Sequence, residues 1–106
     1  MFTFDPRPEI LLTVPIALPG HEPAELKVRC AALPDDEIDG FDLQGEDGSD
    51  ALIDAVVLGF PDVVDDDGKP IADDAALKAA MLKRRWIKAP IVQRYFLALS
   101  GARLGN

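Results

Sequence analysis

Few side chains in this 106-residue sequence can do chemistry at neutral pH. His21 is the sole histidine, set in the turn-forming segment Pro19-Gly20-His21-Glu22-Pro23. A general base needs an orienting partner and a pocket that excludes water, and a turn tip between two strands supplies neither. It reads as a solvated loop residue. Cys30 is the sole cysteine, so it has no partner within the chain. It lies in the alternating run Glu25-Leu26-Lys27-Val28-Arg29-Cys30-Ala31, on the face of Leu26 and Val28, where a thiol acts as a small buried hydrophobe. Nothing nearby would lower its pKa into a reactive range. No GxSxG elbow, P-loop or CxxC pair occurs. The chain is therefore expected to be no enzyme, with no catalytic residue and no cofactor-binding residue.

Two charged clusters remain. In Asp62-Val63-Val64-Asp65-Asp66-Asp67-Gly68, placing Gly68 at the sixth position of a calcium loop puts Asp65 and Asp67 at positions three and five and Asp74 at twelve. Position one is then Val63, which has no ligand atom, and Asp74 is shorter than the usual bidentate Glu. A turn between two apolar runs accounts for the same residues, and no metal ligand is assigned. The second cluster, Leu82-Lys83-Arg84-Arg85-Trp86-Ile87-Lys88, joins four cations to an aromatic ring, a composition that also occurs in segments holding single-stranded nucleic acid. A solvated helix end with an anchoring Trp, or a protein-binding surface, are the readings set against that one.

The elements that must position these residues follow from hydrophobic period and turn chemistry. Residues 9–18 and 24–33 are aliphatic and β-branched runs on either side of the Pro-Gly turn, which predicts an antiparallel hairpin over residues 9–32. Pro15 cannot donate to a ladder, so the first strand should be an edge strand or bulged. Residues 35–60 are assigned to short helices: one opened by Asp35 or Asp36 as cap, and one from Asp50 to Phe60 with Leu52, Ile53, Val56, Val57 and Phe60 on one side. An Asp/Gly turn over residues 61–72 includes a minimal hairpin between Val63-Val64 and Ile71. A helix pair fills residues 73–100. Asp73 and Asp74 cap the first member, Lys83, Arg84 and Arg85 close it, Pro90 opens the second, and Ser100-Gly101 ends it. Residues 101–106 form a flexible C-terminus in this reading. The fold class is α+β, a single domain with an N-terminal β-hairpin packed on three to four short helices.

Charge narrows the partners. The formal net charge is −8, which disfavours a phosphate backbone as ligand. Residues 35–74 hold fifteen Asp or Glu and one Lys, whereas residues 78–103 hold seven Lys or Arg and no acid. Such segregation predicts attraction across the fold, between copies, or to a partner protein. No stretch approaches the ~20 apolar residues that span a bilayer, and no basic leader precedes an apolar segment. A cytoplasmic protein is expected, with no membrane and no nucleic-acid partner.

The second half of the chain resembles the tail assembly chaperones of long-tailed bacteriophages and prophages. The matching residues are Phe60, Val63, Val64, Asp67, Gly68, Pro70, Ile91, Val92, Tyr95, Leu97, Ala98, Leu99, Ser100, Gly101, Ala102 and Arg103. They follow the order of an apolar helix ending in an aromatic, a Val-rich segment with Asp, Gly and Pro, and a helix pair closing in a YLxALSGAR-type sequence. Phe60 stands where members often carry Trp, and Pro90 falls where others continue the helix. The resemblance implies a protein that binds the tape-measure protein and prevents its long apolar helices from aggregating during tail-tube assembly. It further implies self-association and a longer form made by ribosomal frameshifting, for which the ending Leu104-Gly105-Asn106 can be encoded by a slippery heptamer.

A chaperone of that kind needs an apolar groove on a highly charged body. The last two helices are the candidate surface, with Met81, Trp86, Tyr95 and Phe96 as anchors and Arg84 and Arg85 beside them; the same four apolar residues could instead fill the core. Two other functions fit the composition: a virion morphogenesis component such as a head-tail connector subunit, and a small DNA-binding regulatory protein using the basic helix end.

Overall fold

The computed structural model describes residues 1–45 and 47–101. Its class is α+β: a three-stranded antiparallel sheet in the order β1-β2-β3 packs against four helices. The elements are β1 (Glu9–Ile16), β2 (Ala24–Ala31), α1 (Asp35–Asp39), α2 (Gly48–Val56), β3 (Val57–Gly59), α3 (Ala75–Leu82) and α4 (Arg85–Leu99).

β1 and β2 form the expected hairpin, with Leu12 opposite Val28 and Val14 opposite Leu26. Leu26, Val28 and Cys30 face the core while Lys27 and Arg29 face outward, because alternate residues of a strand point to opposite faces. Lys27 Nζ donates to Thr13 Oγ1 directly across the pair at 2.8 Å. β1 is the sheet edge, as Pro15 requires. The Ala32 amide donates to the Pro8 carbonyl at 2.9 Å, so alternation turns the even-numbered residues of β1 toward β2 and the backbone of Pro15 toward the free edge. There its missing N–H costs no ladder bond.

Residues 57–59 depart from the expected helix. α2 ends at Val56, and Val57 turns into β3, which pairs with Arg29 and Cys30 through a bulge. Leu52, Ile53, Val56 and Val57 do reach the core, but Val57 does so from a strand, where a β-branched residue packs well. α1 also differs in its cap. Pro34 holds that position, and neither Asp35 nor Asp36 caps through its side chain. With Glu37 they occupy the first turn, near the positive end of the helix.

The Asp/Gly turn closes as expected. Val64 bridges Pro70, and the Ile71 amide donates to the Val63 carbonyl at 2.9 Å. Gly68 has φ +80°, a conformation that costs glycine little. Asp74 caps α3 by accepting from the Leu77 amide at 3.0 Å. Asp73 does not cap; its carboxylate turns to the sheet, as described below.

α4 begins at Arg85, so Pro90 lies inside the helix and not at its start. Proline breaks the bond to the carbonyl four residues earlier and costs a helix interior about 3 kcal/mol. The burial of Ile87, Ile91 and Tyr95, one per turn through Pro90, holds the helix together across it. Lys83 is accordingly the C-cap of α3, Arg84 the N-cap of α4, and Arg85 the first residue of α4 rather than a cation closing α3. Ser100 caps the far end, and Gly101 follows at φ +76°. The core joins the inner face of the sheet to Leu52, Ile53, Val56, Phe60, Ile87, Ile91 and Tyr95. Among the described residues no helix is long and apolar enough to cross a membrane. The expected flexible ending over residues 102–106 lies outside the described residues.

Candidate partner-binding site

The helix that carries most of the candidate anchors is apolar on two sides. One side of α4 is the stripe Ile87, Ile91 and Tyr95, which is buried and packs chiefly on β1. Of the apolar residues left exposed, Trp86 and Leu97 (42% and 45%) share the opposite side, and Leu99 (37%) lies with Val92 and Phe96 between the two. An amphipathic surface helix ordinarily turns charged or polar residues outward.

Tyr95 does not belong to that surface. It is fully buried, its hydroxyl donates to the Ala31 carbonyl at 2.9 Å, and the Leu33 amide donates back to it at 3.1 Å. This pair of bonds ties α4 to the end of β2. Burial holds the phenol pKa above its ordinary value, partly offset by the Leu33 amide. Tyr95 is thus a core residue and not an exposed anchor. Phe96 is half-buried and meets the Tyr95 ring edge-on at 5.8 Å between centroids, a favourable aromatic geometry. Met81 is also half-buried, on α3. Trp86 alone of the four expected anchors is exposed.

Between α4 and the first turn of α2 lies a groove of about 370 Å³, lined by Ser49 and Asp50 on one wall and by Arg85, Lys88, Ala89, Val92 and Gln93 on the other. Lys88 Nζ binds Asp50 Oδ1 at 2.8 Å across it. This wall from α2 was not among the expected site residues, because contact between helices that lie far apart in sequence leaves no local signal. Lys78 reaches the same helix, donating to the Asp54 carbonyl at 2.8 Å. Part of the charge segregation is therefore satisfied within the fold. Among the described residues, Lys83, Arg84, Arg85 and Arg94 make no ion pair; the Arg84 guanidinium donates to the Ala80 carbonyl. The two expected cations, Arg84 and Arg85, consequently differ: Arg84 is engaged with its own helix pair, and Arg85 lines the groove.

His21 is exposed, in the turn closed by its own amide to the Leu18 carbonyl at 3.0 Å. Cys30 is fully buried, which pushes its thiol pKa up to about 12 and keeps it protonated. Asp65 Oδ1 accepts from the amides of Asp67 and Lys69 at 2.9 and 3.0 Å, so its carboxylate orders the turn. No protein-family model, curated protein or solved structure matches this chain.

Proposed function

We propose that this chain is a phage tail assembly chaperone that binds the tape-measure protein in the host bacterial cytoplasm and keeps it from aggregating while the tail tube forms. The observation that carries the reading is α4: its inner apolar side is spent on the core, yet Trp86 and Leu97 on the opposite side and Leu99 on the flank between them stay exposed on a strongly acidic protein. A surface of that kind suits reversible capture of apolar helices, while net charge keeps the complex dispersed. The residues that carry the resemblance have distinct structural tasks. Phe60, Ile91 and Tyr95 are core, and Val64 and Pro70 close the Asp/Gly turn.

A chaperone leaves before the particle is complete, whereas a connector subunit stays. Mass spectrometry of purified particles and of assembly intermediates separates the two. The chain is expected with the tape-measure protein in intermediates and absent from finished particles; stoichiometric recovery from finished particles would replace this function with a structural one.

A further inference from the structure

The groove between α2 and α4 has a chemistry more specific than a generic apolar patch, and it deepens the chaperone reading by defining what is captured. Arg85, Ala89, Val92, Phe96 and Leu99 follow one another at spacings of four, three, four and three along α4, which places them on one side of the helix. The stripe from Ala89 to Leu99 rises about 15 Å at 1.5 Å per residue; Ala89 and Leu99 are exposed in it, and Val92 and Phe96 are half-buried against the core, with one edge outward. Arg85 and Lys88 stand at its N-terminal end. Trp86 and Gln93, seven residues apart, border it.

Charge decides the occupant. From Ala75 to Gly101 the chain holds six Lys or Arg and no acid. Among the described residues the one carboxylate in the groove lining, Asp50, is already bound to Lys88. The excess at the groove is therefore positive, through Arg85 and the neighbouring Lys83 and Arg84, on a protein whose total is −8. A nucleic acid needs cations all along its backbone and would find Ala89, Val92, Phe96 and Leu99 in place of them. A helix surface also offers no open ladder to an extended strand. The occupant that satisfies both features carries its own backbone bonds, an apolar stripe and flanking carboxylates.

We propose that the α2–α4 groove, with the side of α4 that continues it toward Leu99, binds an acidic amphipathic helix of a partner protein, its apolar stripe on Ala89 and Val92 in the groove and on Phe96 and Leu99 beyond it, and its carboxylates at Arg85 and the Lys88 end. Specificity arises from the charge at one end, and contact area from the stripe.

Trp86 is the sole tryptophan, so its emission reports occupancy directly. The probes are an 18-residue helical peptide with Leu at i, i+3, i+4 and i+7 flanked by Glu, the same Leu pattern flanked by Lys, and a single-stranded 18-nucleotide DNA. The Glu-flanked peptide is expected to give a saturable blue shift, weakened at least about tenfold by Arg85→Glu and similarly by Ala89→Glu. Both positions are exposed, and unchanged circular dichroism confirms that the variants fold. Equal binding of the Lys-flanked peptide or of DNA, an unchanged affinity in both variants, or no saturable shift would overturn the proposal. Recovery of the chain from finished particles would defeat the chaperone reading alone and leave the peptide result standing.

Discussion

Arg29 and Asp73 are joined over a glycine. Arg29 donates from Nε and Nη2 to Asp73 Oδ2 at 3.2 and 3.1 Å, while Asp73 Oδ1 accepts from the Phe60 amide at 2.7 Å. Beneath them lies Gly59, where a Cβ would fall 2.2 Å from Asp73 Oδ1 and 2.6 Å from Arg29 Nη2. One carboxylate thus ties the outer face of β2, the end of β3 and the approach to α3. Arg29 also donates to Glu9 Oε1 at 2.9 Å, and the two carboxylates hold its pKa above the ordinary guanidinium value.

Gly59→Ala is expected to force that ion pair apart and to destabilise the fold by about 1–3 kcal/mol. Asp73→Ala should cost about 1–2 kcal/mol, because it leaves the amide of buried Phe60 without its acceptor. Glu9→Ala should cost less than either, since its partner bond is on the surface. Urea titrations of the three variants check the order.

Tyr95→Phe removes both hydrogen bonds at the end of β2 without opening a cavity, and a loss of about 1–2 kcal/mol is expected. Partner affinity of the folded variant should remain at the wild-type value, because the hydroxyl faces Ala31 and Leu33. A weakened affinity at full folding would return Tyr95 to the binding surface.

Cys30 gives a pH dependence of definite sign. Its folded pKa is raised to about 12 from an ordinary value of 9.0. The folded state therefore keeps a proton that the unfolded state releases above pH 9, and stability falls as pH rises through that window. Below it, this group contributes no slope. Cys30→Ala should flatten that part of the stability profile, and a thiol reagent should label the native protein only as fast as it opens.

Self-association is expected to follow the charge segregation, with the acidic residues 35–74 of one copy meeting the basic α3–α4 surface of another. Sedimentation should show larger species at low salt that dissociate at high salt. A monomer at both ionic strengths would contradict this.

The hairpin and the Asp65-to-Gly68 turn were legible because strand alternation and turn chemistry are local. β3 was not. Val56, Val57 and Phe60 fit helical spacing, and what converts Val57 to a strand is pairing with Cys30, far away in sequence. Pro90 misplaced the start of α4 because a local breaker was weighed without the buried series Ile87, Ile91 and Tyr95 that spans it. The apolar spacing of residues 91–99 was legible as a helix. Sequence could not separate its two apolar sides, and so could not tell buried Tyr95 from exposed Trp86. Nor could it supply Ser49 and Asp50, which reach the groove only through packing of α2 on α4.

The central claim is that the outer side of α4 captures an aggregation-prone tape-measure protein, and co-expression of the two tests it most directly. Wild-type chain should carry the tape-measure protein into the soluble fraction as a complex. A folded Trp86→Ala variant should lose roughly 2 kcal/mol or more of binding energy if Trp86 is the main anchor, leaving most of the tape-measure protein in the pellet. A tape-measure protein that stays in the pellet with wild-type chain, or is equally soluble without it, would contradict the account.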